Sequence, residues 1–146
     1  MVVTDKSEII IDASVLLAWL LPDEIYKPSA NNVLGLYRNN VFSFLAPALL
    51  PYETVNGIVS SVKRKRITEA QAKDAIKLFQ GIDIELIELD VLKVMEYSVK
   101  YNMSAYDGSY GYMLSSQNAG FITCDKKLFN IVKEIEKNIQ WIEDFS

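Results

Sequence analysis

The sequence predicts an α/β fold: a three-layer α/β/α arrangement around a central parallel sheet of about five strands, in one domain over residues 1–146. Three observations predict it. Apolar strand-length runs recur at 9–11, 41–46, 82–89, 121–124 and 138–142. Helical patterns fill the gaps between them, two in each of the first three gaps and one in the last. No Gly/Ser-rich or Pro-rich linker and no repeat interrupts the alternation. Strands alternating with helices give a parallel sheet with helices on both faces. Right-handed crossovers then place all strand C-termini on one edge.

The elements follow in order. Ile9-Ile10-Ile11 reads as a buried strand, with Asp12 directly after it. Val15 to Leu21 is a short apolar helix ended by Pro22. A second helix covers 28–39. Val41 to Ala46 is a strand closed by Pro47, and a helix follows from about Leu50 to Arg66 with Val55, Ile58, Val59 and Val62 expected on its inner face. Thr68-Glu69-Ala70-Gln71 is a capping box. It opens a helix with Ala72, Ala75, Ile76 and Phe79 at core spacing, ended by Gly81. Ile82 to Leu89 alternates apolar and acidic residues, the pattern of a half-exposed edge strand. Asp90 caps a helix expected to turn Val91, Val94, Met95 and Val99 inward. Ser104 starts the next, with Asp107 three residues on, a spacing that also suits a capping box. Phe121 to Cys124 is a short strand followed at once by Asp125; Lys126 to Glu136 is helical, and Asn138 to Ile142 adds a last strand.

Composition narrows the chemistry. Half the residues are hydrophobic, which supports a packed core rather than disorder. The run Val15 to Leu21 is too short to cross a bilayer, and Asp5, Lys6, Ser7 and Glu8 do not resemble a signal peptide, so no membrane association and a cytoplasmic location are expected. The single Cys124 excludes an internal disulfide and a Cys-cluster zinc site, and is expected to pack as a small hydrophobe. There is no His, which removes Ser-His-Asp and Cys-His catalysis and His-based metal sites together. The net charge of −4 argues weakly against broad nucleic-acid affinity. Against that background Lys63-Arg64-Lys65-Arg66 stands out, as a solvated helix end or as a contact for phosphate or an acidic partner.

Carboxylates carry what remains. Asp12 and Asp125 each follow an apolar strand directly, at the sheet edge where α/β proteins bind ligands. If the two strands are neighbours, these acids converge. The alternative is that each only caps its following helix. Glu53 and Asp107 lie in the first turns of helices, Glu53 on one face with Asn56. Four acids in one crevice repel and take up protons unless a cation joins them. Oxygen ligands without His or Cys point to Mg2+ or Mn2+.

The motifs Ile10-Ile11-Asp12-Ala13-Ser14 with Trp19-Leu20 and Pro22, Ala46-Pro47 with Glu53-x-x-Asn56, Ser104-Ala105-Tyr106-Asp107 with Tyr110, and Thr123-Cys124-Asp125-Lys126-Lys127-Leu128 together resemble a PIN domain, and among those a VapC-type toxin ribonuclease. The resemblance covers nearly the whole chain. It implies that Asp12, Glu53, Asp107 and Asp125 bind Mg2+ or Mn2+ and support phosphodiester hydrolysis by a metal-dependent endoribonuclease. Ser14, Asn56 and Thr123 match polar positions that support the acids. It also implies an RNA substrate, a small antitoxin partner and a homodimer. Tyr26, Tyr37 and Trp19 are compatible with such interfaces or with ordinary packing. Gly108 and Gly111 depart from the Ala usual in the Asp107 helix, which predicts a looser or more closely packed helix. A PIN-fold binding or assembly module with little or no nuclease activity is the alternative. A haloacid dehalogenase-like phosphatase needs a second Asp where Ser14 stands, and a phospho-receiver domain needs adjacent acids that Asp12-Ala13 does not supply.

Overall fold

The computed structural model describes residues 6–145. Asp5, part of the stretch read above as unlike a signal peptide, and the four residues before it lie outside the described residues. The chain runs β1 (Ser7–Ile11), α1 (Ala13–Leu20), α2 (Lys27–Arg38), β2 (Phe42–Pro47), α3 (Leu50–Lys63), α4 (Glu69–Gln80), β3 (Ile84–Ile87), α5 (Val91–Lys100), α6 (Ala105–Ser116), β4 (Gly120–Thr123), α7 (Lys126–Val132) and β5 (Ile139–Trp141), ending in a 3-10 turn. The expected alternation is present. All five strands are parallel, in the order β3-β2-β1-β4-β5. The chain builds outward from β1 on one side, then crosses to add β4 on the other. The switch point of the sheet therefore lies between β1 and β4.

Strand alternation divides the interior into two cores. Ile9, Ile11, Phe44, Ala46 and Ile122 face one side, covered by apolar residues of α1 to α4. Ile10, Leu45 and Phe121 face the other, covered by Tyr110, Met113 and Leu114 of α6 and Leu128 and Val132 of α7. β1 is covered on both faces, which is why three successive Ile suit it. β3 is the edge that its alternating pattern predicts.

Two expectations about faces are corrected. In α3, Val55 and Val59 are exposed; the buried positions are Leu50, Thr54, Ile58 and Ser61. In α5, Val91, Met95 and Val99 are exposed at 82%, 50% and 74%, and the buried positions are Val94 and Ser98. Both buried faces carry Ser or Thr because each hydroxyl donates to the carbonyl four residues back: Thr54 to Leu50, Ser61 to Gly57 and Ser98 to Val94. With their polar atoms satisfied, these small residues permit close helix contact. Tyr26, Tyr37 and Trp19 pack on the core, Tyr37 stacked on Phe44 and Tyr26 edge-on to Trp141.

Element ends differ modestly. α3 stops at Lys63 with a Schellman motif, in which Arg66 N–H donates to Ser61 O and Lys65 N–H to Val62 O. Lys65 holds the left-handed position with φ 59°. α7 ends at Val132 rather than Glu136, its last residues forming turns. The capping box of α4 is complete.

The two glycines of α6 are explained by close packing. A Cβ on Gly108 would lie 1.8 Å from Ser98 Oγ and 2.9 Å from Ser98 Cβ; one on Gly111 would lie 2.6 Å from the Tyr97 ring. Glycine there lets α5 press against α6. Gly57 plays the same part between α3 and Leu17 of α1.

Candidate active site

Parallel pairing of Ile11 with Ile122 sets the geometry. One residue further along each strand, Asp12 and Thr123 stand side by side. Thr123 Oγ1 donates to Asp12 Oδ2 at 2.6 Å. Ser14 Oγ donates to Asp12 Oδ1 at 2.5 Å, and the Val15 N–H reaches the same oxygen at 3.3 Å. Each hydroxyl is itself oriented from β4: the Cys124 N–H donates to Ser14 Oγ at 3.1 Å and the Asp125 N–H to Thr123 Oγ1 at 3.0 Å. Asp12 is 4% exposed and Thr123 fully buried. Asp12 caps α1, as the capping reading expects, while its carboxylate also accepts from Ser14 and Thr123. Asp125 likewise caps α7 through the Leu128 N–H.

The other two acids reach the same crevice from helix starts. Glu53, in the first turn of α3, accepts from the Tyr110 hydroxyl at 2.7 Å. Asp107, in the first turn of α6, lies within electrostatic reach of Asp125 and Lys127. The capping box expected there is half formed: Ser104 Oγ accepts from the Asp107 N–H, without a return bond from the Asp107 carboxylate among the described residues. That carboxylate stays available to the crevice. Asn56 is exposed and makes no hydrogen bond to the acids. Tyr110 is the residue whose part sequence reasoning missed. Its position three residues after Asp107, on the same helix face, was the available signal.

Crowding of these charges shows in their protonation. Burial pushes the Asp12 carboxyl up from 3.8 to about 6, against the lowering effect of its hydroxyl and amide donors. Glu53 rises from 4.5 to about 6, chiefly by burial, with Asp12, Asp107 and Asp125 adding repulsion and the Tyr110 hydrogen bond opposing. Asp107 is raised by burial and by Asp125, with Lys127 opposing. Tyr110 is pushed well above the ordinary phenol range by burial and by Glu53, so it stays a donor. Cys124 is half-buried, and burial pushes its thiol up to about 12, which keeps it protonated.

The donor set suits a hard cation. It is all oxygen, and two of its carboxyls are raised to about 6, chiefly by burial, so a cation there would favour their charged forms. Among the described residues, no three carboxylates are drawn tightly enough to enclose an ion by themselves.

A five-stranded parallel sheet ordered 3-2-1-4-5 with helices on both faces is a PIN-like fold. The comparisons with known proteins agree with this, and the resemblance to VapC-type chains is borne out. The chain is 27% identical over 120 residues to a VapC ribonuclease of Mycobacterium bovis and, to the same extent, to ribonuclease VapC9 of Mycobacterium tuberculosis, covering 82% of this chain and 87% of each relative. Its fold matches PAE2754 from Pyrobaculum aerophilum with a TM-score of 0.70 at 22% identity, over 94% of this chain and 91% of that one. It also matches VapBC2 from Rickettsia felis, solved bound to a DNA fragment from their promoter, with a TM-score of 0.61 at 14% identity, over 92% of this chain and 96% of that one. Searched against protein-family models, the chain matches none.

Proposed function

We propose that this chain is a divalent-metal-dependent endoribonuclease acting as the toxin of a toxin–antitoxin pair. The observation that supports the reading is that Asp12, Glu53, Asp107 and Asp125 lie within electrostatic reach of one another, two of them with carboxyls raised to about 6. The similarity to VapC ribonucleases supports RNA as the substrate. Asp12 and Asp125 would hold Mg2+ or Mn2+, with Glu53 and Asp107 supporting them. When bound, the cation offsets the phosphate charge and lowers the pKa of its water.

The residues then divide the work. Ser14 and Thr123 fix both oxygens of Asp12, so its carboxylate does not reorient during turnover. Tyr110 holds Glu53 through Oε1 and leaves Oε2 outside that bond. Glu53, held by the Tyr110 hydroxyl, is the carboxylate assigned to accept a proton from the attacking water. Lys127 stands beside Asp107 as a cation for the incoming phosphodiester.

Two apolar faces left exposed suit the protein partners implied by the resemblance, an antitoxin and a second copy. One runs between α3 and α4 past Val55, Val59 and Ile76; the other follows α5 past Val91, Met95 and Val99 to Tyr106. Among the described residues, no helix is long and apolar enough to cross a membrane.

The test is Mn2+-dependent cleavage of single-stranded RNA by the wild type, Asp12→Asn and Asp107→Asn. The expected result is cleavage by the wild type and a fall of at least about 100-fold in each variant. Undiminished cleavage by both variants would refute the reading.

A further inference from the structure

The basic run Lys63 to Arg66 is not accounted for by the acid crevice, yet the structure places it at the far end of the same helix that carries Glu53. From Glu53 to Arg64 the helix rises about 16 Å. Between these points, α1 and α3 enclose a cavity of about 340 Å3. Its lining includes Ser14 and Cys124, Gly57 and Ser60, and Arg64 and Arg66 together with Glu24. Ser14 is also the residue whose hydroxyl holds Asp12. The cavity therefore shares Ser14 with the surroundings of Asp12.

Its arginine-lined part is built. Glu24 accepts from Arg66 Nη2 at 2.9 Å, which fixes one edge of that guanidinium and leaves its other donors unused by Glu24. The Schellman turn with Lys65 in the left-handed region carries the chain back so that Arg64 and Arg66 both line the cavity. Arg64 makes no ion pair among the described residues. The protein is otherwise acidic, at −4 overall, and the crevice itself concentrates negative charge. A polyanion bound across that crevice requires compensating cations a short distance away, and this is where they stand.

We propose that the α1–α3 cavity seats the RNA strand beside the scissile phosphate, with Arg64 and Arg66 holding a backbone phosphate a few nucleotides away. This rests on the ribonuclease reading of the acid site. It makes the two arginines substrate-binding residues that position the strand without touching the reacting atoms. Phosphate contact gives them no base preference of their own.

The experiment is fluorescence-anisotropy binding of a labelled single-stranded oligoribonucleotide in Ca2+, across a salt series, for the wild type, Arg64→Gln, Arg66→Gln and the distant control Lys77→Gln. Thermal melts check that each variant is folded. Each arginine variant is expected to bind about 5-fold more weakly and to lose about 0.7 from the slope of log K against log salt, with the control unchanged. In cleavage assays the same variants raise KM for the oligonucleotide with kcat nearly unchanged, and leave turnover of a dinucleoside phosphate, too short to reach Arg64, as in the wild type. Wild-type affinity and slope in both variants would overturn the proposal. So would an arginine-dependent affinity for a poly-glutamate peptide without one for RNA, which would assign the cavity to an acidic protein partner. Failure of Asp12→Asn to abolish cleavage would instead strike the ribonuclease reading, because binding is read separately.

Discussion

Replacing Asp12 by Asn should stabilise the metal-free protein at neutral pH while abolishing cleavage. Burial raises the Asp12 carboxyl from 3.8 to about 6, and a rise of that size corresponds to a penalty of about 3 kcal/mol on the charged form. The sign follows from linkage. A folded-state value above the unfolded one means that the native state binds the proton more tightly, so the associated stability is present in full below 3.8 and is lost as pH rises through about 6. Asn carries no charge and removes this loss. It keeps an oxygen for Ser14 and the Val15 N–H, and it still caps α1. Its amide must point at Thr123, whose hydroxyl then has to turn and accept; this offsets part of the gain. The net expectation is a variant more stable than wild type by about 1–3 kcal/mol near pH 7.5 and by little near pH 4. Urea unfolding in EDTA, followed by circular dichroism at both values, measures it. A variant less stable than wild type by the same amount at both pH values would refute the reasoning. It would show Asp12 to be a structural cap whose ionisation costs nothing.

Further outcomes follow from the same packing and charges. Gly108→Ala adds a Cβ 2.9 Å from Ser98 Cβ and should destabilise by about 1–3 kcal/mol despite the better helix propensity of Ala, and should weaken cleavage through the neighbouring Asp107. Ser98→Gly in the same molecule should restore most of the loss in urea unfolding, whereas Ser98→Ala, which keeps the Cβ, should not. Tyr110→Phe removes the donor to Glu53 Oε1 and should shift the acidic limb of the kcat–pH profile to higher pH, because that hydrogen bond opposes the rise of the Glu53 carboxyl. Added Mn2+ should raise the wild-type melting temperature and leave that of Asp12→Asn unchanged.

Much of the fold was legible because β1 and β4 are short, apolar and stopped by acids, and because caps at Asp12, Thr68, Asp90, Ser104 and Asp125 mark the helix starts. The strand-end placement of Asp12 and Asp125 was readable for the same reason. The inner faces of α3 and α5 were not. Their buried stripes run through Thr54, Ser61 and Ser98, whose hydroxyls are satisfied within the helix, while Val55, Val59, Met95 and Val99 point outward. Hydrophobic periodicity reports where apolar residues lie, and in helices with exposed apolar faces that is not where the core lies. The spacing of Tyr110 from Asp107 hinted at a place near the acids, but its partner Glu53 lies on another helix, and that pairing leaves no spacing in the sequence. Gly108 and Gly111 could be noticed from sequence, but only the position of Ser98 and Tyr97 explains them.

The most direct test of the account is the anomalous scattering of Mn2+ soaked into crystals of this protein. The account predicts a peak in the crevice contacted by Asp12 and Asp125, with Glu53 and Asp107 around it, absent from crystals of Asp12→Asn. A crevice without a peak in wild-type protein that still cleaves RNA in Mn2+ would contradict it.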